Sequence, residues 1–480
     1  IVDGIPQTLP DGQSQLDAID PADVETIEVL RGPSSALYGN AAGGVIRITT
    51  RAPGTASAAR FDQVVGRYGL IDSRASLAGG SEQLGLRLSA GRFDSDGFRE
   101  HASVRQYRAG MQLRWQPDPD TRLTASAGYF DAPEEQDPGG ISAETAAENP
   151  RAAREANVAF DAGETLEQWR FGAGLTHRFG ANRHQQLRLT GFAFLRDFAN
   201  RLPFESGGQV AFDRTFTGLD GQYELDAPLA GLEQRLTLGV DLRRQDDDRE
   251  RFDNLQGVRG PRVLDQRERV DSLGVYLQQR LRLAEDWTLR TGVRFDEVQL
   301  DVDDRFLENG DQSGQRTWRE WSPGIGVIWR AVESLSVYAN LGSAFQTPTT
   351  TELANPADPG SGGGFNPALA PETARSLEVG LRGEIGGRLR YEAALYRARI
   401  DDAIVSFEVP EFSGSGRDFF RNAGRATRAG IEVTASARLG ENWRLRAGYT
   451  GTRFECDRFV TPSGAFSGNR IPGVPRHRGY

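Results

Sequence analysis

The sequence has few of the residues on which many common sites depend. Its 480 residues include one cysteine, Cys456, and one methionine, and all 57 basic residues are arginine. A single cysteine permits neither an internal disulfide nor a cysteine-based metal site. The four histidines lack the spacing of a helical zinc site, and the chain has no nucleophile elbow or phosphate-binding loop. We therefore expect no enzyme activity, no bound metal and no cofactor.

Long apolar runs and an excess of positive charge are also missing. No stretch approaches the roughly 18 consecutive apolar residues of a membrane-spanning helix. The net charge of -10 argues against general nucleic-acid binding, which favours a basic surface. The mean hydropathy of -0.51 would suit a soluble protein. It suits a membrane β-barrel equally well, because only alternate residues of a spanning strand face lipid.

From about residue 59 onward, apolar and polar residues alternate over long stretches. In the segment 235–243, for example, four apolar residues share one phase and the charged residues take the other. A period of two indicates β-strands. An arginine facing lipid near the bilayer midplane costs about 2–4 kcal/mol, so the polar phase of a spanning strand has to face inward. A soluble all-β protein, such as a propeller or stacked sandwiches, is the alternative, but its strands are usually shorter.

Short turns alternate with long polar loops along the same region, as in outer-membrane barrels. This pattern predicts about seventeen strands and the start of another near Pro475. The long loops are the candidates for ligand binding: 131–165, 247–266, 301–316 and 346–371. Two of these regions carry clustered carboxylates, at 246–248 and 301–304, without the spacing of an EF-hand calcium loop. We interpret both clusters as solvated.

Residues 1–54 have a different pattern. Two predicted strands, 26–31 and 45–50, flank a loop of small residues at 32–44. The segment 24–50 reads VETIEVLRGPSSALYGN and then AAGGVIRITT, with Asp3-Gly4-Ile5-Pro6 upstream. This pattern resembles the plug signature of TonB-dependent outer-membrane receptors. Later segments resemble the barrel of the same family: FQTPT at 345–349, NPAL at 366–369, NAG at 422–424 and IPGVPRH at 471–477.

The resemblance implies an all-β fold, a transmembrane antiparallel barrel of about 22 strands with a plug inside its lumen. Residues 1–54, hereafter the plug segment, would be the C-terminal part of a mixed-sheet plug domain, and 55–480 the barrel. The TonB box and the first part of the plug would be missing. The last four or five strands would also be missing, so we expect an unclosed barrel.

The resemblance also implies a function. Such receptors import a scarce nutrient, usually a ferric siderophore, across the bacterial outer membrane, gated by the plug and energised by the TonB complex. We expect a monomer in contact with outer-membrane lipid. Pyrroloquinoline quinone or another cofactor is an alternative ligand, since Asp3-Gly4-Ile5-Pro6 followed by Pro10-Asp11-Gly12-Gln13 resembles receptors for both kinds of ligand. A passive porin is the alternative of another class.

Plug arginines and barrel glutamates are the predicted contacts between the two parts. We expect Arg31 and Arg47 to pair with Glu378 and Glu432, which alternation turns into the lumen; separate local contacts are the alternative. Four glycines should permit tight turns in the plug segment: Gly32, Gly39, Gly43 and Gly44.

Overall fold

The computed structural model describes residues 1–10, 14, 16, 18–32, 35–353, 365–407, 419–461 and 464–480. Its secondary structure consists almost entirely of strands, arranged as one small sheet and one very large one. The helices are short: α1 (Ser35–Tyr38), α2 (Ala143–Glu148), α3 (Glu155–Ala159) and α4 (Thr350–Leu353), with 3₁₀ turns at Pro21–Asp23, Ala181–Arg183 and Leu307–Asn309. In the part of the chain described, no helix is long and apolar enough to cross a membrane.

The small sheet belongs to the plug segment. Its two strands, β1 (Val24–Arg31) and β2 (Gly44–Thr50), are antiparallel and pair in register from Thr26–Thr49 to Arg31–Gly44. The turn Pro21–Asp23 precedes β1, and the side chain of Asp20 accepts a hydrogen bond from the backbone N–H of Ala22 at 2.9 Å. Both predicted strands are therefore present.

Seventeen long strands follow, and each pairs antiparallel with the next along the chain. The predicted strand number is confirmed for the described residues. Two short strands, β20 (Gly464–Ala465) and β21 (His477–Gly479), come last. The long strands are β3 (Ala58–Val65), β4 (Ile71–Gly80), β5 (Leu84–Ser95), β6 (Val104–Asp118), β7 (Thr121–Gln136), β8 (Gly163–Phe179), β9 (Gln185–Arg201), β10 (Gln209–Asp226), β11 (Gln234–Leu255), β12 (Val258–Arg282), β13 (Trp287–Asp304), β14 (Gly314–Val332), β15 (Leu335–Gln346), β16 (Glu372–Ile385), β17 (Leu389–Phe407), β18 (Phe419–Leu439) and β19 (Trp443–Thr461).

The strand order is that of a closed barrel, in which the short strands β20 and β21 lie between β19 and β3. β21 pairs with β19 at three positions, from Tyr449–Gly479 to Gly451–His477. The expectation of an unclosed barrel is therefore wrong for the strand order, because this short last strand continues the sheet beyond β19. The join is brief by comparison, since β10 pairs with β11 along all of its 18 residues.

Alternation turns one face of each strand outward. In β11, Leu238, Val240 and Leu242 are 40–48% exposed, whereas Thr237 and Asp241, on the alternate phase, are buried. Trp287 and Trp329, at cross-strand positions next to short turns, stack with ring centroids 5.7 Å apart. An exposed apolar belt edged by aromatic rings is the outer surface expected of a lipid-embedded barrel.

One of the predicted loops is wrong. Residues 247–266 are largely strand, because β11 continues to Leu255 and β12 begins at Val258. Only Gln256 and Gly257 form the turn, both with positive φ, 53° and 91°. This is the backbone of a two-residue hairpin turn, which matches the twist of the flanking strands. The predicted loops 131–165 and 301–316 are shorter than expected, since strands extend into them from both sides, whereas the prediction of 346–371 matches the interval between β15 and β16 to within one residue.

Candidate functional site: the contact between the plug segment and the barrel wall

The plug segment is anchored to the barrel through Asp23, at the end of the 3₁₀ turn before β1. Its carboxylate accepts hydrogen bonds from Arg87 Nε at 3.0 Å, from Arg87 Nη2 at 2.5 Å and from Ser89 Oγ at 2.9 Å. Both donors lie in β5. The Arg87 and Asp23 side chains are only 15% and 17% exposed. Partial burial makes this charge-assisted contact stronger than an ion pair on an open surface.

Further polar contacts lie on either side of this anchor. Arg74 of β4 lies 3.4 Å from a carboxylate oxygen of Asp20. Arg170 of β8 donates to the backbone carbonyl of Ala18 at 2.6 Å. Gln112 of β6 donates to the hydroxyl of Thr50 at 2.7 Å. The barrel therefore holds residues 18–50 from several neighbouring strands at once.

Apolar residues fill the same interface. Leu9 is 3% exposed and packs on a cluster of barrel phenylalanines, namely Phe192, Phe194 and Phe216. Ala18 is buried in a second cluster formed by Phe130, Ala132 and Leu166. Because these aromatic and aliphatic side chains point into the lumen, the plug segment removes them from water there. The wall around the plug segment is therefore partly apolar, although the lumen as a whole is polar.

Gly39 rests directly on a buried charge cluster of the wall. It has a positive φ of 70°, and a Cβ there would lie 3.0 Å from Arg294 Nη2 and 3.1 Å from Asp296 Oδ1. Arg294 in turn contacts Asp296 at 2.7 Å and Asp241 at 2.5 Å. Glycine is needed at position 39 both for the left-handed backbone and for this close approach.

Asn40, next to Gly39, joins the plug segment to a long barrel loop. Its side-chain amide donates to the hydroxyl of Thr347 at 3.0 Å, just beyond the end of β15. Asn40 is exposed to the lumen, whereas Thr347 is 4% exposed. The plug segment therefore touches the loop region 347–371 as well as the strands.

The predicted arginine–glutamate contacts are only partly described. Glu378 and Glu432 lie on the inward phase, and their apolar neighbours Leu377, Val379, Ile431 and Val433 are exposed on the outer face. Arg47, however, pairs with Glu28 of the adjacent plug strand at 2.6 Å, not with a barrel glutamate. The side chain of Arg31 lies outside the described residues, so its pairing stays a prediction.

The glycine predictions can be compared with the backbone. Gly32, Gly39 and Gly44 have positive φ, between 70° and 120°, and at Gly44 a Cβ would overlap the carbonyl oxygen of Leu30. Gly43 has neither a positive φ nor a close neighbour. Three of the four glycines therefore adopt a conformation that favours glycine.

Both carboxylate clusters lie in strands, 246–248 in β11 and 301–304 at the end of β13. Asp247 points inward and pairs with Arg214 at 2.6 Å, with both side chains almost fully buried. Asp246 points outward and pairs with Arg267 at 2.6 Å. In the loop after β13, hydrogen bonds from Ser313 hold the pKa of Asp311 below its usual value. Within the described residues, no group of three or more His, Cys, Asp and Glu side chains is placed to hold a metal ion.

The anchors described above were not among the predicted contacts. They join plug aspartates to barrel arginines such as Arg74 and Arg87. A signal was available: Asp20 and Asp23 flank a proline turn, and both arginines lie on the inward phase of their strands. The sequence pattern alone does not show which inward arginine a plug carboxylate reaches.

A cavity of about 130 Å³ lies between the plug segment and the wall, bordered by Ile5, Ala18 and Asp23 on one side and by Arg87 and Arg170 on the other. Pockets that enclose a drug-sized ligand measure roughly 300–1,000 Å³. This cavity is too small to hold a ligand of that size with the plug segment in this position.

Comparison with known proteins places both parts of the chain. The description "TonB-dependent Receptor Plug Domain" matches residues 1–45, and "TonB dependent receptor-like, beta-barrel" matches residues 114–480. The chain is 25% identical to the metal-pseudopaline receptor CntO of Pseudomonas aeruginosa, over 97% of this chain and 68% of that protein. It is 24% identical to the ferrioxamine receptor of Yersinia enterocolitica, over 94% of this chain and 66% of that protein.

The chain thus spans about two thirds of the length of these relatives. Among solved structures, the ferric citrate transporter FecA in its unliganded form superposes with a TM-score of 0.80 at 19% identity, covering 100% of this chain and 72% of that one. That likeness concerns the fold. The match to the barrel family over most of the chain, together with the plug signature and the strand barrel around it, shows that this chain belongs to the TonB-dependent receptor family.

Proposed function

We propose that the chain is the plug end and barrel of an outer-membrane receptor that imports a metal chelate, most directly a ferric siderophore. The plug gates the lumen, and the TonB complex supplies the energy to displace it. The named relatives support the ligand class, because one is a ferrioxamine receptor and the other a metal-pseudopaline receptor. Both are receptors rather than enzymes by name.

The observation that carries the gating proposal is the closed contact between plug and wall. Asp23, Thr50 and Asn40 each bond to a different part of the barrel, and the cavity beside Asp23 and Thr50 measures only about 130 Å³. A passive porin keeps a water-filled channel open. A lumen occupied by the plug segment instead favours transport in which energy is needed to displace the plug.

Uptake by whole cells tests this function. The full-length receptor is expressed in cells that lack their own receptors, with ferric desferrioxamine B carrying radioactive iron as the probe. We expect uptake that saturates and that stops when a protonophore collapses the energy supply. A strain that carries the empty vector gives the background.

Two results would count against the proposal. Uptake that continues unchanged with the protonophore would indicate a passive pore. Failure to bind or import ferric desferrioxamine B, combined with energy-dependent import of pyrroloquinoline quinone, would retain the gated receptor but replace its ligand. The assay therefore separates the class of transporter from the identity of its cargo.

A further inference from the structure

Arginines oppose one another on the inner face of three neighbouring strands near the short turns. In the register of the sheet, Arg280 of β12 lies directly opposite Arg235 of β11 on one side and Arg290 of β13 on the other. Arg235 and Arg290 share the inward phase of their strands with the buried residues Asp241 and Arg294. Like charges directly opposite each other destabilise a sheet. The stability of the wall therefore does not explain this arrangement.

Two of these arginines have no acidic partner. Arg235 forms an ion pair with Asp226 at 2.6 Å. Among the residues that the structure describes, neither Arg280 nor Arg290 forms an ion pair or a side-chain hydrogen bond, and both are exposed to the lumen. Arg294, four positions further along β13, is by contrast only 3% exposed and contacts two carboxylates. Arg280 and Arg290 are therefore open to a ligand.

A second group of opposed arginines lies at the same end of the barrel. Arg438 of β18 is directly opposite Arg444 of β19, next to the short turn at 440–442, and Arg446 is the next inward residue of β19. All three are exposed, and none pairs with a carboxylate in the described parts of the chain. The inner wall at this end therefore carries unpaired positive charge at two places.

Arg280 and Arg290 lie between the plug segment and the short turns. Helix α1 of the plug segment packs against β13, β14 and β15, and a Cβ on Gly324 of β14 would lie 3.7 Å from Ala36 in that helix. Arg290 is opposite Gly326, two residues nearer the short turn that ends β14. The short turns of outer-membrane barrels face the periplasm. A solute that has passed the plug would therefore meet both arginines as it leaves the lumen.

We propose that these arginines form an anion-binding surface at the periplasmic end of the lumen, with Arg280 and Arg290 as its principal residues. A guanidinium group binds a carboxylate through two parallel hydrogen bonds, and arginines that line a pore favour anions. The surface receives carboxylate groups of the cargo once the plug has moved. The inference rests on the proposed function and deepens it, because it specifies a metal chelate with net negative charge.

Planar-bilayer recordings of the full-length receptor test the surface, with urea added until the plug is displaced and an open-channel current appears. Under a gradient of KCl, the reversal potential should show that the wild-type channel passes chloride in preference to potassium. Citrate added on the side of the short turns should block the chloride current. In the double variant Arg280→Gln, Arg290→Gln, the preference for chloride should fall. The citrate concentration for half block should rise about tenfold, the effect of losing one bond to a charged group.

Two further variants serve as controls. Arg244→Gln removes an arginine from the outer face of β11, where it pairs with Asp271, and should leave both the selectivity and the citrate block unchanged. Arg290→Lys keeps the positive charge and should keep the preference for chloride. A wild-type channel without that preference, equal citrate block in the double variant and the wild type, or equal weakening in Arg244→Gln would overturn the proposal.

The closed receptor, recorded without urea, distinguishes the cargo from the plug as the source of the anion. If the double variant leaks more current than the wild type in this state, the arginines hold a carboxylate of the plug instead, and the proposal is wrong. Equal leakage supports a surface that binds cargo. Uptake that continues with the protonophore would reject the proposed import function without altering the chloride selectivity, so the two failures can be told apart.

Discussion

The guanidinium of Arg294 in β13 reaches Asp241 in β11 by crossing the strand between them, β12, at Gly274. The distance from Arg294 Nη2 to Asp241 Oδ2 is 2.5 Å, and the two side chains are 3% and 10% exposed. A Cβ on residue 274 would overlap that nitrogen, so the bridge requires a glycine in the middle strand. Gly39 of the plug segment lies against the same guanidinium, so this ion pair of the wall is in direct contact with the plug segment.

Gly274→Ala should displace Arg294 and break this bridge. Separating a buried ion pair costs about 3–5 kcal/mol when one charge is left without its partner. We expect a clear drop in the melting temperature of the full-length receptor. It is measured by gel electrophoresis, as the temperature at which the fast mobility of the folded barrel is lost. Gly342→Ala is the matched control, because that inward glycine of β15 has no neighbour within 4 Å of a built Cβ. Equal melting of both variants would refute the role of Gly274.

Removing the carboxylate of Asp23 should loosen the plug. Asp23→Ala deletes three hydrogen bonds from Arg87 and Ser89. A hydrogen bond to a charged group contributes about 1.5–3 kcal/mol to stability. We expect higher ion conductance of the receptor in planar bilayers and greater sensitivity of cells to large antibiotics. Asp62→Ala is the control, since Asp62 pairs with Arg60 on its own strand. Wild-type conductance in Asp23→Ala would contradict this anchor.

The predicted barrel partners of Arg31 can be tested in the same conductance assay. If Arg31 pairs with Glu378 or Glu432, then Arg31→Gln and the matching glutamate-to-glutamine variant should each raise conductance, and the double variant should add little. Arg47→Gln serves as the comparison, because its partner Glu28 lies within the plug. Strictly additive effects with both glutamates would end this hypothesis.

A row of directly opposed carboxylates crosses the outer face of five strands. Like charges placed opposite each other in a sheet are destabilising, by an amount within the range of about 0.2–1 kcal/mol for cross-strand pairs. We expect Asp197→Asn, in the middle of the row, to raise the melting temperature, and more so at low salt. The row consists of Asp131, Glu167, Asp197, Asp213 and Asp248, at consecutive register positions.

Asp246→Asn should change the melting temperature in the opposite direction from Asp197→Asn. Asp246 pairs with Arg267 at 2.6 Å, so neutralising it removes an attraction rather than a repulsion. We expect a small decrease in melting temperature for this variant. A decrease for Asp197→Asn as well would show that the opposed carboxylates are not in conflict.

The strands were predictable because their signal is local. Alternation needs only neighbouring residues, and in the membrane one face of each strand must be apolar, as in Leu238 to Leu242. The hairpin at Gln256 was missed for the same reason. Beyond the lipid both faces of a strand are free to be polar, so Asp246, Asp247 and Asp248 give no alternation and resemble a loop.

The site was less predictable than the fold. The plug signature located the segment, but its anchors depend on which inward arginine faces Asp20 or Asp23 after the barrel has closed around it. Arg47 shows the same limit. Its cross-strand neighbour Glu28 is only nineteen positions away in the chain, and this local partner competes with any barrel glutamate.

The unequal lengths of the strands also shape the entrance. β11 and β12 have 22 and 25 residues, whereas β15 and β16 have 12 and 14. Crossing a bilayer takes only about 9–11 residues. β11 and β12 therefore rise well above the membrane as a two-stranded screen, and the wall is lower at β15 and β16, which β13 and β14 separate from that screen. The loop that bonds to the plug segment begins on this lower part of the wall.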